Sequence, residues 1–271
     1  MNNTELKRIL ADAGVAPRKG LSQNFLHDDV ALEKIADALT PGAGFYVEIG
    51  GGVGSLTEKA VGRGFHPFTV LDIDETMLQI LHARFDGKAQ VINADAVRYD
   101  LTPHFAGTRG VVFGNLPYQA SSPILFSILS QSRYISRAVF LLQKEVAVKC
   151  AAEPASRDFS PLAAVIRHIG DAEILFDIGP ASFFPPPKVM SSVLQIPIRP
   201  HEKMPAEIMK MADAFRILFS HRRKTLANVF KMHRLPAAFL AEAGIGANAR
   251  IEEIEWSTLE ALAARLAKIS I

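Results

Sequence analysis

Four consecutive residues, Asn115-Leu116-Pro117-Tyr118, follow the apolar run Val111-Val112-Phe113 and bring two hydrogen-bond acceptors and an aromatic face to the end of an expected strand. That combination suits one task, the presentation of an exocyclic amine for methylation. The N6 amine of adenine is a poor nucleophile because its lone pair is delocalised into the ring. A catalyst must favour the tetrahedral nitrogen by accepting hydrogen bonds from both of its protons. The side-chain carbonyl of Asn115 can take one and the backbone carbonyl of Leu116 the other. Pro117 fixes its own φ and keeps the preceding residue out of the helical region, so the Leu116 carbonyl points outward instead of entering a helix. Tyr118 offers a flat surface on which a base can stack. An ordinary strand-to-loop turn also uses Asn and Pro, and the surrounding residues decide between the two readings.

The stretch Glu48-Ile49-Gly50-Gly51-Gly52-Val53-Gly54 closes one expected strand and opens a helix, where glycines let backbone N–H groups approach a ligand. The dinucleotide fingerprint would require glycine where Ser55 stands; the spacing at Gly50, Gly52 and Gly54 favours S-adenosylmethionine over NAD. Asp72, at the end of the second strand, is placed to accept hydrogen bonds from ribose hydroxyls, while Asp74 better suits a helix cap. Asp95 either accepts from the cofactor adenine's amine or forms a turn. Gly50, Gly52, Asp72, Asp95 and Asn115 all fall at carboxyl ends of successive expected strands, the ligand edge of a doubly wound sheet.

The elements that must position these residues alternate. Helical patterns cover 30–39, 54–63, 75–85 and 122–130, with a helical segment near 144–151 and another near 161–168. Short apolar runs at 45–49, 68–73, 90–92, up to 113 and 137–142 read as strands. This alternation indicates a parallel sheet with helical crossovers. Residues 173–178 and 192–198 read as an antiparallel pair flanking the Pro-rich loop Phe183-Phe184-Pro185-Pro186-Pro187-Lys188. Beyond Pro200 the strand signal stops and three or four helices fill 205–268. The expected organisation is therefore an α/β domain over 1–200, whose first 27 residues reach the cofactor site, and a small all-α domain over 201–271.

A chain of 271 residues with 49% hydrophobic residues can fill a sizeable core. Cys150, the single cysteine, excludes an intramolecular disulfide and, without a Cys/His cluster, argues against structural zinc. No run approaches the roughly 18 apolar residues that span a bilayer, and the N-terminus is polar, so a cytoplasmic protein is expected. The net charge is only +2, yet residues 199–234 carry nine Lys/Arg against three Asp/Glu, whereas residues 235–271 carry three against five. Arg216, Arg223, Lys224 and Lys231 recur at heptad-like spacing, with Arg222, His221 and Arg234 widening the stripe. Such a basic face suits phosphates or is simply solvated. Lys7, Arg8, Arg18 and Lys19 offer either a flexible N-terminal contact or a merely soluble tail. Trp256, near Leu259 and Leu262, is expected in the core of the helical domain.

Taken together, Gln23-Asn24-Phe25-Leu26, EIGGGVGSLT (48 to 57), Asn115 to Tyr118, Gln143-Lys144-Glu145-Val146, FFPPPKV (183 to 189) and Arg222-Arg223-Lys224-Thr225 resemble the KsgA family of small-subunit ribosomal RNA adenine N6,N6-dimethyltransferases, relatives of the Erm large-subunit enzymes. The resemblance covers nearly the whole chain. It implies a Rossmann-like class I methyltransferase with a mainly parallel seven-stranded sheet, helices on both faces and a C-terminal helical appendage. It further implies that Asn24 and Leu26 close over S-adenosylmethionine, Gly50 binds near its methionine portion, Asp72 and Asp95 hold ribose and adenine, and Asn115 serves cofactor and target amine. The chain departs from the family pattern at Ser22 (usually Gly), Gly51 (usually Pro), Asp72 (usually Glu) and Met190 (usually Asp or Thr).

The expected reaction is a direct in-line displacement in which adenine N6 attacks the sulfonium methyl group and S-adenosylhomocysteine leaves, with no metal. Positioning and preorganised acceptors supply most of the acceleration. A duplex base cannot reach such a site, so the target adenine is unpaired or flipped, held between Tyr118 and Phe183; Phe183 could instead be buried beside Phe184. The expected substrate is two adjacent adenines of small-subunit ribosomal RNA in a partly assembled particle, acted on by a monomer with a role in ribosome assembly. Two other readings compete: a small-molecule methyltransferase, and a non-catalytic assembly factor that retains the fold, the latter motivated by Gly51 and Asp72.

Overall fold

The computed structural model describes residues 1–18, 20 and 23–269; Lys19 and Ser22 lie outside them. Its centre is a seven-stranded sheet. Four parallel strands, β2 (Tyr46–Ile49), β3 (Phe68–Asp72), β4 (Gln90–Asn93) and β5 (Gly110–Asn115), are joined by β6 (Ile135–Gln143), also parallel. Two antiparallel strands, β7 (Glu173–Ile178) and β9 (Ser191–Pro197), complete it in the order β4-β3-β2-β5-β6-β9-β7. β2 and β3 are buried throughout and β5 at every position except Asn115, which explains their unbroken apolar runs. A second, two-stranded sheet pairs β1 (Phe25–Leu26) with β8 (Phe183–Phe184).

Helices cover both faces. On one side, α2 (Asp29–Asp37) and α3 (Ser55–Gly62) place Leu32, Ile35, Leu56 and Ala60 against Phe68, Phe113 and Val139. On the other, α5 (Ser121–Ser130) and α7 (Pro161–Ile169) bring Leu125, Leu129 and Ala164 onto Phe140 and Leu142. Polar caps start several of these helices: Asp28 accepts from the Ala31 N–H and Ser160 from that of Ala163. Two further helices complete this part: α4 (Glu75–Phe85) follows β3, and α6 (Lys144–Cys150) follows β6.

The C-terminal helices are α8 (Pro205–Phe219), α9 (Leu226–Met232), α10 (Ala238–Glu242) and α11 (Trp256–Leu266). α8 lies against α5 and α7, and Ile208, Met211, Phe215, Leu259 and Leu266 share one apolar cluster with Leu129, Phe140 and Phe159. Trp256 stacks on Phe215 and meets Phe159 edge-on. The N-terminal stretch also contains a helix, α1 (Asn3–Asp12), whose Leu6 and Leu10 join Phe25, Val53, Met77 and Ile80 in a cluster of their own. Among the described residues, Lys7 and Arg8 thus belong to an ordered helix packed beside the Gly-rich loop.

Candidate active site

The strand order reverses about β2, since β3 leads away on one side and β5 on the other, and a crevice opens beyond their carboxyl ends. A cavity of about 340 Å³ lies there, lined among others by Asn24, Leu26, Gly50, Gly52, Asp72, Asp95 and all four residues from Asn115 to Tyr118. Its size matches sites that take a drug-sized ligand. Gly50, Asp72, Asp95 and Asn115 reach it from the ends of successive strands, and Asn24 and Leu26 from the β1 segment outside this sheet.

Asn115 ends β5 immediately after Gly114. That glycine has a φ of 156°, and a Cβ on it would sit 2.2 Å from the Ile49 carbonyl oxygen, so only glycine lets β5 run this close to β2. The Asn115 amide donates from Nδ2 to the backbone carbonyl of Asn24 at 2.9 Å. This assigns the amide's orientation and leaves Oδ1 as its accepting edge. Next along the chain, the Pro117 carbonyl is taken by the Ala120 N–H (3.0 Å) and the Tyr118 carbonyl by the Ser121 hydroxyl (3.2 Å). The Leu116 carbonyl is engaged by no donor among the described residues, whereas the Leu116 N–H is held by Leu141. Tyr118 is partly buried, and its hydroxyl lies 2.6 Å from Ser191 Oγ. Burial raises the phenol's pKa, against the pull of that hydrogen bond.

The cofactor half is built around carboxylates. Asp72 accepts from the Gly52 N–H (2.8 Å) and, through its other oxygen, from the Asp74 N–H (2.9 Å), so the shorter acid at this position grips the Gly-rich loop directly. Gly52 itself has a φ of 54°, which strains any other residue, and a Cβ there would press on the Phe25 ring at 3.0 Å. Burial raises the Asp72 pKa, moderated by those backbone donors. Glu48, also lining the cavity, is fully buried with a hydrogen bond from Thr57 Oγ1 at 2.7 Å. Burial, the Thr57 bond and nearby Asp72 together set its pKa at about 8. Buried in this way, Glu48 keeps its proton at neutral pH, and Asp72 carries the hydrogen-bond acceptor capacity of this wall. Asp95 Oδ1 accepts from the Val97 N–H (2.9 Å), so this residue does form the turn, while its partly exposed carboxyl still faces the cavity lining.

Sequence reasoning missed the apolar part of this half. Ile73 and Val97 are 58% and 37% exposed, yet both line the cavity, directly after Asp72 and two residues after Asp95. Large aliphatics left in water beside acidic strand ends are what a flat heterocycle would cover. Glu48, a carboxylate inside the apolar run Tyr46-Val47-Glu48-Ile49, was a visible signal. Together, the N–H-rich loop, the acids and these aliphatic edges fit S-adenosylmethionine.

Three expectations are corrected. Phe183 does not face the cavity: its register partner across the β1–β8 pair is Leu26, and it is 2% exposed within the cluster beneath the sheet. Phe184 takes the opposite side, where Lys7 Nζ sits 5.0 Å from its ring centre. The heptad-like basic stripe is also not one helix face, because α8 ends at Phe219 and α9 begins at Leu226. Arg216 is held by Asp213 and lies 4.3 Å over the Phe126 ring, and Arg222 donates to the carbonyls of Ser156, Arg157 and Phe159. Both cations thus already have partners within the protein. Arg223, Lys224 and Lys231 are exposed, with Arg234 nearby in sequence. Nor is Arg18 part of a merely soluble tail, since it pairs with Asp74 at 3.3 Å.

A sheet in this order, carrying a glycine loop, strand-end acids and the Asn115–Tyr118 tetrad on one edge, has the fold of a class I methyltransferase. The family described as ribosomal RNA adenine dimethylase matches residues 15–268, and the chain belongs to it. A ribosomal RNA small subunit methyltransferase A of Anaeromyxobacter sp. (strain K) is 39% identical over 90% of this chain and 92% of its own length. Its namesake from Pseudomonas putida is 35% identical over 92% and 95%. Among solved structures, a dimethyladenosine transferase from Plasmodium falciparum superposes with a TM-score of 0.70 at 22% identity, covering 88% of this chain and 95% of that one. The 23S rRNA methyltransferase ErmE gives 0.63 at 23%, covering 90% and 99%. Both share the fold.

Proposed function

We propose that this protein dimethylates the N6 amines of adenine in small-subunit ribosomal RNA, using S-adenosylmethionine, and that two adjacent adenines in a partly assembled particle are its target. The observation that carries the reading is the Asn115 amide, turned so that Oδ1 is its accepting edge and set beside the uncommitted Leu116 carbonyl in the lining of the cavity. These two oxygens take the two protons of an amine and draw its nitrogen towards tetrahedral geometry. Tyr118, steadied by Ser191, stacks on the base. When bound, S-adenosylmethionine supplies a methyl group activated on a sulfonium. Gly50, Gly52, Asn24 and Leu26 hold its amino-acid end, Asp72 and Asp95 its ribose and adenine, and Ile73 and Val97 flank the ring. Asp72 has spent two of its lone pairs on backbone N–H groups and retains acceptor capacity for a hydroxyl. Once methylated, the nitrogen is a strong acid, and its proton passes to water without a tuned base.

The exposed cations Arg223, Lys224 and Lys231 meet phosphates of the RNA. Mass spectrometry of ribosomal RNA from cells with and without the gene tests the reading, together with methyl transfer to the isolated small subunit in vitro. N6-dimethyladenine that disappears with the gene, and transfer that Asn115→Ala abolishes while RNA affinity persists, are the expected results. Transfer to a free metabolite with none to ribosomal RNA, or RNA binding without measurable cofactor binding, would refute it.

A further inference from the structure

Asn115 can accept from an amine only while its amide keeps one of two nearly isosteric orientations. Flipped, it would offer an NH2 group to an NH2 group. Within the described structure the orientation is set by a single backbone group, the Asn24 carbonyl, at 2.9 Å from Nδ2. The segment that carries this carbonyl is held by the β1–β8 pairing on one side and, one residue earlier, by Gln23. Gln23 Nε2 donates to Asp74 Oδ2 at 2.8 Å, and Gln23 Oε1 accepts from the Arg18 N–H at 2.8 Å, so both ends of this primary amide are used. Asp74 is itself immobilised: its side chain is 1% exposed, its Oδ1 caps α4 by accepting from the Thr76 N–H at 3.0 Å, and Arg18 pairs with it at 3.3 Å. A path thus runs from the start of α4 through the Gln23 side chain, along one peptide link to the Asn24 carbonyl, and by a hydrogen bond to the Asn115 amide.

We propose that Gln23, anchored on Asp74, is a positioning residue for methyl transfer that acts by holding the Asn24 carbonyl against Asn115 Nδ2. This rests on the reading that Asn115 accepts from the target amine. Gln23 lines the cavity but is assigned here no contact with the target base, so its loss should act on the transfer step and leave RNA capture intact.

Gln23→Glu sets a carboxylate against the Asp74 carboxylate, and adding Asp74→Asn restores an amide–carboxylate pair with donor and acceptor exchanged. Gln23→Ala removes the tie without adding charge and serves should the glutamate variant not fold. With small-subunit RNA as substrate, Gln23→Glu is expected to lower kcat roughly tenfold to a hundredfold, the scale of a misplaced reacting group, with KM for RNA within about twofold. The Gln23→Glu/Asp74→Asn pair should regain most of that loss. A second readout needs no turnover: in 15N–1H spectra of the cofactor-free protein, the Asn115 side-chain NH2 signals, assigned by their absence in Asn115→Ala, should shift in Gln23→Glu and return in the pair. Unchanged kcat in Gln23→Glu and Gln23→Ala, or an unmoved Asn115 NH2 signal, overturns the proposal. Asn115→Ala separates the two levels. If it retains activity, the amine-acceptor reading fails and takes this proposal with it; if it is inactive while the Gln23 variants turn over normally, the proposal alone fails.

Discussion

The substitution Glu48→Gln should change how stability depends on pH. In the unfolded chain this carboxyl titrates near its ordinary value of 4.5, whereas the fully buried group in the fold titrates at about 8. The folded state therefore holds a proton that the unfolded state has released, and stability falls as pH rises from about 4.5 to about 8. At about 1.4 kcal/mol per pH unit, that gap sets a ceiling of about 5 kcal/mol, reduced by whatever relaxation admits water. The amide of the Glu48→Gln variant keeps an acceptor for Thr57, which in the wild type is bonded at 2.7 Å, and has no proton to lose. The two proteins should thus be similarly stable near pH 5, and the variant more stable by a few kcal/mol at pH 8.5. Urea denaturation at pH 5, 6, 7 and 8.5, fitted with a common m-value, measures the difference directly. Parallel stability profiles for wild type and variant across that range would refute the assignment of a desolvated, proton-holding Glu48.

Three further outcomes are expected. Changing Arg223, Lys224 and Lys231 together to Ala should weaken RNA binding and flatten its salt dependence by about two to three in log K against log salt, since each lost phosphate contact removes about 0.7 to 0.9. Filter binding at several salt concentrations checks this, and thermal stability should not move. Arg222→Ala should do the reverse, leaving the salt slope nearly intact but lowering unfolding free energy by about 2 kcal/mol, because three carbonyls lose a charged donor. Gly51→Ala should destabilise by about 1–3 kcal/mol, as its Cβ would lie 2.3 Å from Val70 Cγ1. Adding Val70→Ala should give a double variant more stable than the sum of the two single effects, measured as a double-mutant cycle.

At Gly51, Val70 and Leu81 already fill the space that a side chain would need. The succession of strands and helices and the placing of Gly50, Asp72, Asp95 and Asn115 at strand ends were legible because each rests on local pattern: apolar runs, glycine spacing and the position of polar residues after those runs. Phe183 was not. Which of two adjacent phenylalanines faces inward depends on the pairing of β8 with Phe25 and Leu26, far upstream in the chain, and no local periodicity records it. The same limit applies to Arg222, whose acceptors are carbonyls in the 156–159 loop, and to Arg216, whose partner ring is Phe126. A run of cations declares charge but not which of them the fold has already used. Gln23 is a third case, because a primary amide reveals its importance only through the two groups it joins.

The cluster shared by α8, α11 and the sheet helices, together with the Arg222 guanidinium on the 156–159 carbonyls, ties the basic turn at 223–224 to the body that carries the cavity. On the RNA reading, the two behave as the jaws of a fixed caliper. A strand is accepted when an unpaired adenine and its phosphate neighbours stand apart by the distance that the protein holds constant, so selection is made by the spacing that a folded RNA presents and does not require reading its bases one by one.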